Sequence, residues 1–407
     1  MDIENPEELT AFLRATGRVG ADEPLEIRNL AGGVSNRTVY LRRSAPGPDG
    51  GPPEAWVLKQ ALAKLRVAVD WFADPARIDR EALGIEWLGK LTQPWDAIAD
   101  ALASAAAATT AATGALTPDG ELPGTPAGTP AATPAGTPAA APAAAPTLPH
   151  PAIFGRIPAL IFHEPSEHLL AMRAVPEPHD NFKTLLLSGR VNYRYVSQFA
   201  MLLAEIHGQS FLRRGELPAA FRDQRYFRNL RLEPYYQYTA EQVPEAAGFL
   251  HNLVASTLLR KHTLVHGDYS PKNVLFYAER LVLLDHEVIH WGDPAFDLGF
   301  ALAHLLSKAH HMPDRRKEFL LAAHLFFVHY LKRLVDHQAL GAWITSLEPF
   351  AVRHALGCLL ARVAGRSQLE YLTPEEKTRQ RAIVLTLMAK PPATVEALAR
   401  AWGDKLK

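Results

Sequence analysis

At 407 residues the chain has room for two or three domain-sized units, and 48% apolar residues supply material for real cores. The 43 Lys and Arg balance 43 Asp and Glu, which argues against broad nucleic-acid binding through phosphate neutralisation. Cys358 has no second cysteine to pair with, the start Met1-Asp2-Ile3-Glu4-Asn5 lacks an apolar signal core, and no run of 18 apolar residues occurs; no disulfide and no membrane span are expected, and a reducing, cytoplasmic setting fits.

Leu25-Glu26-Ile27-Arg28-Asn29-Leu30 alternates as a half-buried strand does. Ala31-Gly32-Gly33-Val34-Ser35-Asn36 is a turn, and Thr38-Val39-Tyr40-Leu41 returns as a second strand. Trp56-Val57-Leu58-Lys59 reads as a third strand ending at the lysine. Asp74-Pro75 is a helix start with Pro at the first helical position, and Ile78, Leu83, Trp87 and Leu88 can share a face of the helix that follows. Residues 101–149 are Ala, Thr, Pro and Gly with almost no charge; such a stretch cannot offset backbone ordering of roughly 1–2 kcal/mol per residue and is expected to be a disordered insertion.

Ala159-Leu160-Ile161-Phe162 and Leu169-Leu170-Ala171-Met172 flank Glu164-Pro165-Ser166-Glu167 as a second hairpin, and Val175-Pro176-Glu177-Pro178 is a stiff connector. Beyond 190 the pattern is mostly helical, and Phe319 to Leu331 reads as a buried helix. The outline is α+β: a small antiparallel β lobe over 1–175 that carries the insertion, then a larger, mostly α-helical lobe over 176–407.

The densest polar chemistry lies between 263 and 297: Val265-His266-Gly267-Asp268-Tyr269-Ser270-Pro271-Lys272-Asn273, then Leu281-Val282-Leu283-Leu284-Asp285-His286-Glu287, then Gly292-Asp293-Pro294-Ala295-Phe296-Asp297. Phosphoryl transfer needs a carboxylate near the attacking hydroxyl, oxygen ligands for magnesium and a cation for the nucleotide phosphates. Asp268 and Asn273 lie five apart in one loop and can face one phosphate from two sides, Asp285 ends a nearby apolar strand, and Glu287 can add another oxygen. A Gly turn at Gly32 and Gly33, with Ser35 and Asn36, lets backbone N–H groups approach phosphate.

In order and spacing, His266-Gly267-Asp268 with Asn273, Asp285, Gly292-Asp293-Pro294 and Asp297 resembles the aminoglycoside phosphotransferase and choline kinase family. The resemblance implies a two-lobed, protein-kinase-like fold and ATP- and Mg²⁺-dependent phosphorylation of a hydroxyl on a small molecule. It assigns Asp268 as catalytic base, Asn273 and Asp285 as metal ligands, the Gly32–Asn36 turn and Lys59 to the nucleotide phosphates, Glu81 as the partner of Lys59, and Asp297 as a brace of the catalytic loop. Leu58 to Arg66, with Trp71 and Glu81, is similar to the corresponding stretch of methylthioribose kinases, although Asn273 departs from their pattern. Ser270 in place of the protein-kinase lysine, Asp285-His286-Glu287 in place of Asp-Phe-Gly, and only 11 residues between Asp285 and Asp297 weigh against a protein substrate.

Other patterns have plainer explanations. His262, His266, His286 and His290 cluster without a standard metal-site spacing, and His266 is expected to organise its loop. Arg222, Arg225, Arg228 and Arg231 among tyrosines fit an amphipathic helix better than an acceptor pocket. Arg362 and Arg366 could hold an anionic substrate group, with surface helix charge as the default. Two rival functions are a non-catalytic nucleotide-binding regulator on the same fold and a metal-dependent phosphohydrolase. The family resemblance implies an acceptor hydroxyl on a sugar-like molecule, an aminoglycoside or an amino-alcohol, with the methylthioribose kinase likeness pointing to the sugar-like class. The acceptor's identity and the oligomeric state are not encoded in any motif.

Overall fold

The computed structural model describes residues 1–30, 33–45, 53–67, 70–92, 156–339 and 341–407. The 101–149 insertion and Gly32 lie outside the described residues.

A five-stranded antiparallel sheet opens the chain: β1 (Leu25–Asn29), β2 (Asn36–Arg43), β3 (Ala55–Ala61), β4 (Leu160–Glu164) and β5 (Leu169–Arg173), in the order β1-β2-β3-β5-β4. Period-two alternation splits its two faces. Val39, Leu41, Trp56, Leu58, Leu169 and Ala171 point to one side and bury Leu9 and Leu13 of α1 (Pro6–Ala15). Asn5 caps that helix by accepting the N–H groups of Glu7 and Glu8. Ala61, Leu170 and Met172 point to the other side and join the core of the larger lobe. Lys59 shares this second face, so strand alternation alone turns its ammonium towards the interlobe cleft.

α2 (Arg77–Leu91) packs beneath that face. Ile78, Ala82, Ile85 and Leu88 form its buried stripe, and Glu81 lies within the stripe while Glu86 is exposed. Two sequence expectations change here. The helix begins two residues after Pro75, because Asp74 accepts the Ala76 N–H at 2.9 Å and closes a turn first. Lys59 is not the end of β3, which runs on to Ala61 through pairing with Leu169 and Asn36.

The second lobe holds α3 (Phe182–Leu187), α4 (Tyr193–Leu212), α5 (Pro244–Leu259), α6 (Pro294–His311), α7 (Arg316–Asp336), α8 (Leu347–Ala364), α9 (Pro374–Ala389) and α10 (Val395–Lys405). Phe199, Leu203, Leu298, Leu302, Phe326 and Leu356 meet in its core; each such side chain contributes about 1.5–3 kcal/mol on burial. Short strands interrupt the helices: β6 (Asp180–Asn181), β7 (Thr263–Val265), β8 (Val274–Tyr277), β9 (Arg280–Leu283) and β10 (His290–Gly292). β8 and β9 form a hairpin, and β7 pairs with β10. These pairings bring residues 266–273 and 284–287 side by side. No helix of the described residues is long and apolar enough to cross a membrane.

Candidate active site

The loop after β7 is shaped by Asp297, in the first turn of α6. Its carboxylate accepts the His266 N–H at 2.7 Å and the Gly267 N–H at 2.8 Å, and His207 Nε2 stands 3.2 Å from it. Gly267 has φ +79°, and a Cβ there would sit 2.9 Å from Val288 Cγ2, so both conformation and space require glycine. The imidazole of His266 accepts the Asp268 N–H at Nδ1 (3.2 Å) and donates from Nε2 to the Leu284 carbonyl (3.2 Å). It is the loop organiser expected from sequence and stitches the Asp268 loop to the Asp285 segment. Burial holds it neutral, below the usual histidine pKa, which this pair of bonds requires.

Asp268 is 1% exposed. Three donors converge on its Oδ2: Asn273 Nδ2 at 2.8 Å, Arg231 Nη2 at 3.0 Å and Lys272 Nζ at 3.1 Å. Oδ1 is buried and has no hydrogen-bond partner among the described residues. Burial works against its negative charge, but the Arg231 and Lys272 cations outweigh it and hold the carboxyl below the usual aspartate range.

Lys59 Nζ lies 2.6 Å from Glu81 Oε1 and 2.9 Å from Asp285 Oδ1, which joins the two lobes electrostatically. Burial opposes the ammonium, yet Asp285 and Glu81 hold its pKa above the ordinary lysine value. Asp285 is held well below the usual range by Lys59, Lys272 and Arg231, again against its burial. Glu81 is pushed up to about 7, chiefly by burial, with the Asp285 and Glu287 charges adding to it and Lys59 opposing it. Asp285 has φ +69°, a costly conformation for a non-glycine residue and one concentrated at functional sites.

Glu287 is also buried. Its Oε2 accepts Arg77 Nε at 2.9 Å and Asn36 Nδ2 at 3.3 Å. Arg77 also donates to the Ser35 carbonyl, so the turn holding Gly33, Ser35 and Asn36 is tied through Glu287 to the Asp285 segment. One oxygen each of Glu81, Asp285 and Glu287 lie within 4.8 Å of one another. Asp293 caps α6 by accepting the Ala295 N–H at 3.1 Å and binds Arg260 Nε at 2.8 Å.

Sequence reasoning missed three cations. Lys272 stands four residues after Asp268, and that spacing within one loop is the signal that reveals it. Arg77 follows the expected helix start but carries no motif. Arg231 was grouped with an amphipathic helix; instead it is 6% exposed, because Arg228–Gln237 is a π-helix and the wider turn rotates Arg231 inward onto Asp268 and the Gly267 carbonyl (2.8 Å). Arg362, expected as surface charge, is also 6% exposed.

The family model of the phosphotransferase enzyme family matches residues 26–324, a span that includes Lys59, Glu81, Asp268, Asn273 and Asp285. The chain belongs to the phosphotransferase enzyme family. This phosphotransferase shares its two-lobed, protein-kinase-like fold with choline kinase from Cryptosporidium parvum Iowa II, at 10% identity over 98% of this chain and 99% of that one, with a TM-score of 0.52. A choline/ethanolamine kinase family protein from Mesorhizobium loti is similar at 14% identity over 98% and 99% of the two chains, with a TM-score of 0.45. Among curated proteins, none matches the phosphotransferase in sequence.

Proposed function

We propose that this phosphotransferase moves the γ-phosphoryl group of ATP to a hydroxyl of a small molecule, with Asp268 as the base. The observation that carries the reading is the asymmetry of the Asp268 carboxylate: Oδ2 is held by three donors, and Oδ1 is buried without one. A buried carboxylate oxygen without a donor is expensive unless a donor arrives, and an acceptor hydroxyl is such a donor.

The depressed pKa of Asp268 suits this role. The group is ionised at neutral pH and weakly basic, so it orients the hydroxyl first and takes its proton late, once bond formation to phosphorus has made that proton acidic. Lys59, positioned by Glu81, contacts the nucleotide phosphates, and the turn at Gly33, Ser35 and Asn36 closes over them. The adenine of the nucleotide lies against residues 172–175, next to the lobe connection.

The donor set fits magnesium. Asn273 spends its Nδ2 on Asp268, which leaves its amide oxygen, and Asp285 spends Oδ1 on Lys59, which leaves Oδ2. Amide and carboxylate oxygens are the ligands this hard cation takes. Asn273 and Asp285 would hold it, with Glu287 as a further oxygen, and when bound it would neutralise charge on the polyphosphate.

The test is a mass-spectrometric screen of hydroxylated metabolites incubated with the enzyme, ATP and Mg²⁺. A metabolite that gains one phosphoryl group with wild-type protein and not with Asp268→Asn is the expected result. Nucleotide consumption without any phosphorylated acceptor contradicts the reading.

A further inference from the structure

One cluster of buried cations lies outside the machinery assigned so far. His304 and Lys308 stand one turn apart on α6 and share a face. Lys308 is fully buried; its Nζ donates to the His304 carbonyl at 3.3 Å and lies 5.3 Å from the Tyr371 ring centre. Arg362 reaches in from α8. Its Nη2 lies 3.2 Å from His304 Nε2, its Nη1 donates to the Ser367 carbonyl and hydroxyl at 2.8 Å each, and its guanidinium sits over the rings of Tyr235 and Phe300.

The cluster lacks a counter-charge. Among the described residues neither Lys308 nor Arg362 forms an ion pair with a carboxylate. Glu370, the acid that reaches them electrostatically, is paired with Lys183 and largely exposed. The Arg362 Nε and the Tyr371 hydroxyl are both buried without a partner. Neutral carbonyls and aromatic faces do not replace the solvation that two buried cations lose. Electrostatics link the cluster to the Asp268 site: Tyr235, under Arg362, is within electrostatic reach of Arg231 and Lys272, and His304 feels Lys272 as well as Arg362, Lys308 and Lys183.

We propose that this cluster is the acceptor subsite and that the acceptor is an anion: a hydroxylated small molecule whose carboxylate or phosphate group is received by Lys308, Arg362 and the Tyr371 hydroxyl. This rests on the phosphotransferase reading above and narrows its acceptor. An acceptor carrying an ammonium would bring one more positive charge to a site that already holds two. Without a ligand, burial pulls the Lys308 ammonium down to about 7, with Lys183 and Arg362 adding to the effect and Glu370 opposing it. An arriving anion restores the charged form, so binding above neutral pH takes up a proton.

The experiment uses the full chain with saturating Mg²⁺ and a non-hydrolysable ATP analogue, so that the phosphate-binding part of the nucleotide site is filled. Inorganic phosphate is then titrated by calorimetry into wild type, Lys308→Met and Arg362→Gln. Saturable binding, weakened at least about tenfold in each variant and accompanied by proton uptake at pH 8 in wild type and Arg362→Gln but not in Lys308→Met, is expected. Lys308→Met should also raise the Tm of the free protein, since it removes a buried, uncompensated charge.

Phosphate binding that is absent from wild type, or equal in all three proteins, overturns the proposal. So does a Lys308→Met variant that melts earlier and binds as wild type does, which would make the lysine a packing residue. In turnover, matched sets such as glycerate, glycerol and ethanolamine separate the classes, and preference for the neutral or amino member overturns it. Failure of the ATP analogue itself to bind would instead count against the phosphotransferase reading.

Discussion

The Asn273 side-chain amide donates to Asp268 Oδ2 at 2.8 Å and to the Asp268 backbone carbonyl at 2.9 Å. One residue thus fixes the rotation of the Asp268 carboxylate and the path of its loop. With Arg231 and Lys272 on the same oxygen, Oδ1 is left for the proposed acceptor hydroxyl. Replacing Asp268 with Asn should lower kcat by about 10²–10⁴-fold, the range for loss of a positioned general base. ATP affinity should stay within about threefold, because the proposed partner of Asp268 is the acceptor hydroxyl and not the nucleotide. Steady-state kinetics with equilibrium nucleotide binding checks both parts.

Arg231 reaches the proposed reaction through its contact with Asp268 Oδ2 at 3.0 Å. Arg231→Met should lower kcat and move the acid limb of the pH–kcat profile to higher pH. Asp268 is held below its usual range in part by Arg231, and a carboxyl that loses a neighbouring cation titrates higher. A profile that falls in height without moving would assign Arg231 to packing alone.

Lys59 compensates two buried carboxylates. Lys59→Ala strips Glu81 of its cation and leaves Asp285 only the more distant Lys272 and Arg231, and should destabilise the fold by about 3–5 kcal/mol. Adding Glu81→Gln should recover part of that loss, because one of the stranded charges disappears with it. The midpoints of urea unfolding for the single and double variants give the comparison.

α2 offers a paired test of how tightly Glu81 is placed. A Cβ on Gly84 would lie 2.9 Å from His286 Cβ and 3.0 Å from Ile289 Cγ2, whereas a Cβ on Gly89 would meet nothing within 4 Å. Gly84→Ala should cost about 1–3 kcal/mol through overpacking and raise the KM for ATP as α2 shifts. Gly89→Ala should be neutral or stabilise by up to about 1 kcal/mol, with kinetics unchanged. Equal effects at the two positions would remove the packing argument.

Buried neutral histidines predict acid sensitivity. His290 is 1% exposed, stacks on Phe227 at 4.0 Å, and is pulled down to about 4, mainly by burial. Its folded pKa is below its unfolded one, so between about pH 6.5 and 4 the unfolded chain binds a proton here and the folded chain does not. Stability therefore falls as pH drops through that window, by about 3 kcal/mol for this residue, and has no slope from it above the window. Denaturant titrations at neutral and acidic pH should show a smaller loss in His290→Gln than in wild type.

Much of this was legible in the sequence because the chemistry is local there. Period-two alternation placed the strands, and Asp268, Asn273 and Asp285 sit in an ordered motif whose spacing survives folding. The family resemblance suggested Lys59 and Glu81 as a pair; the period of α2 alone did not, since the face read as Ile78, Leu83, Trp87 and Leu88 proves to be Ile78, Glu81, Ala82, Ile85 and Leu88. What escaped depended on departures from regularity. The π-helix at Arg228–Gln237 breaks the 3.6-residue period, so Arg231 could not be turned towards Asp268 by counting. Arg362 looked like helix surface because burial of its face depends on α6 and the segment around Tyr371, which sequence spacing does not bring together. Arg77 and Glu287 meet across 210 positions, and no local pattern encodes such a contact.

The most direct test follows the transferred group itself. Wild-type protein and Asp268→Asn are incubated with ATP, Mg²⁺ and an acceptor identified by the screen, and ³¹P NMR records the products. A new phosphoester resonance that grows in step with ADP for wild type, and is lost in the variant while ATP still binds, is the predicted result. Inorganic phosphate in place of the phosphoester, or undiminished transfer by Asp268→Asn, would contradict the account.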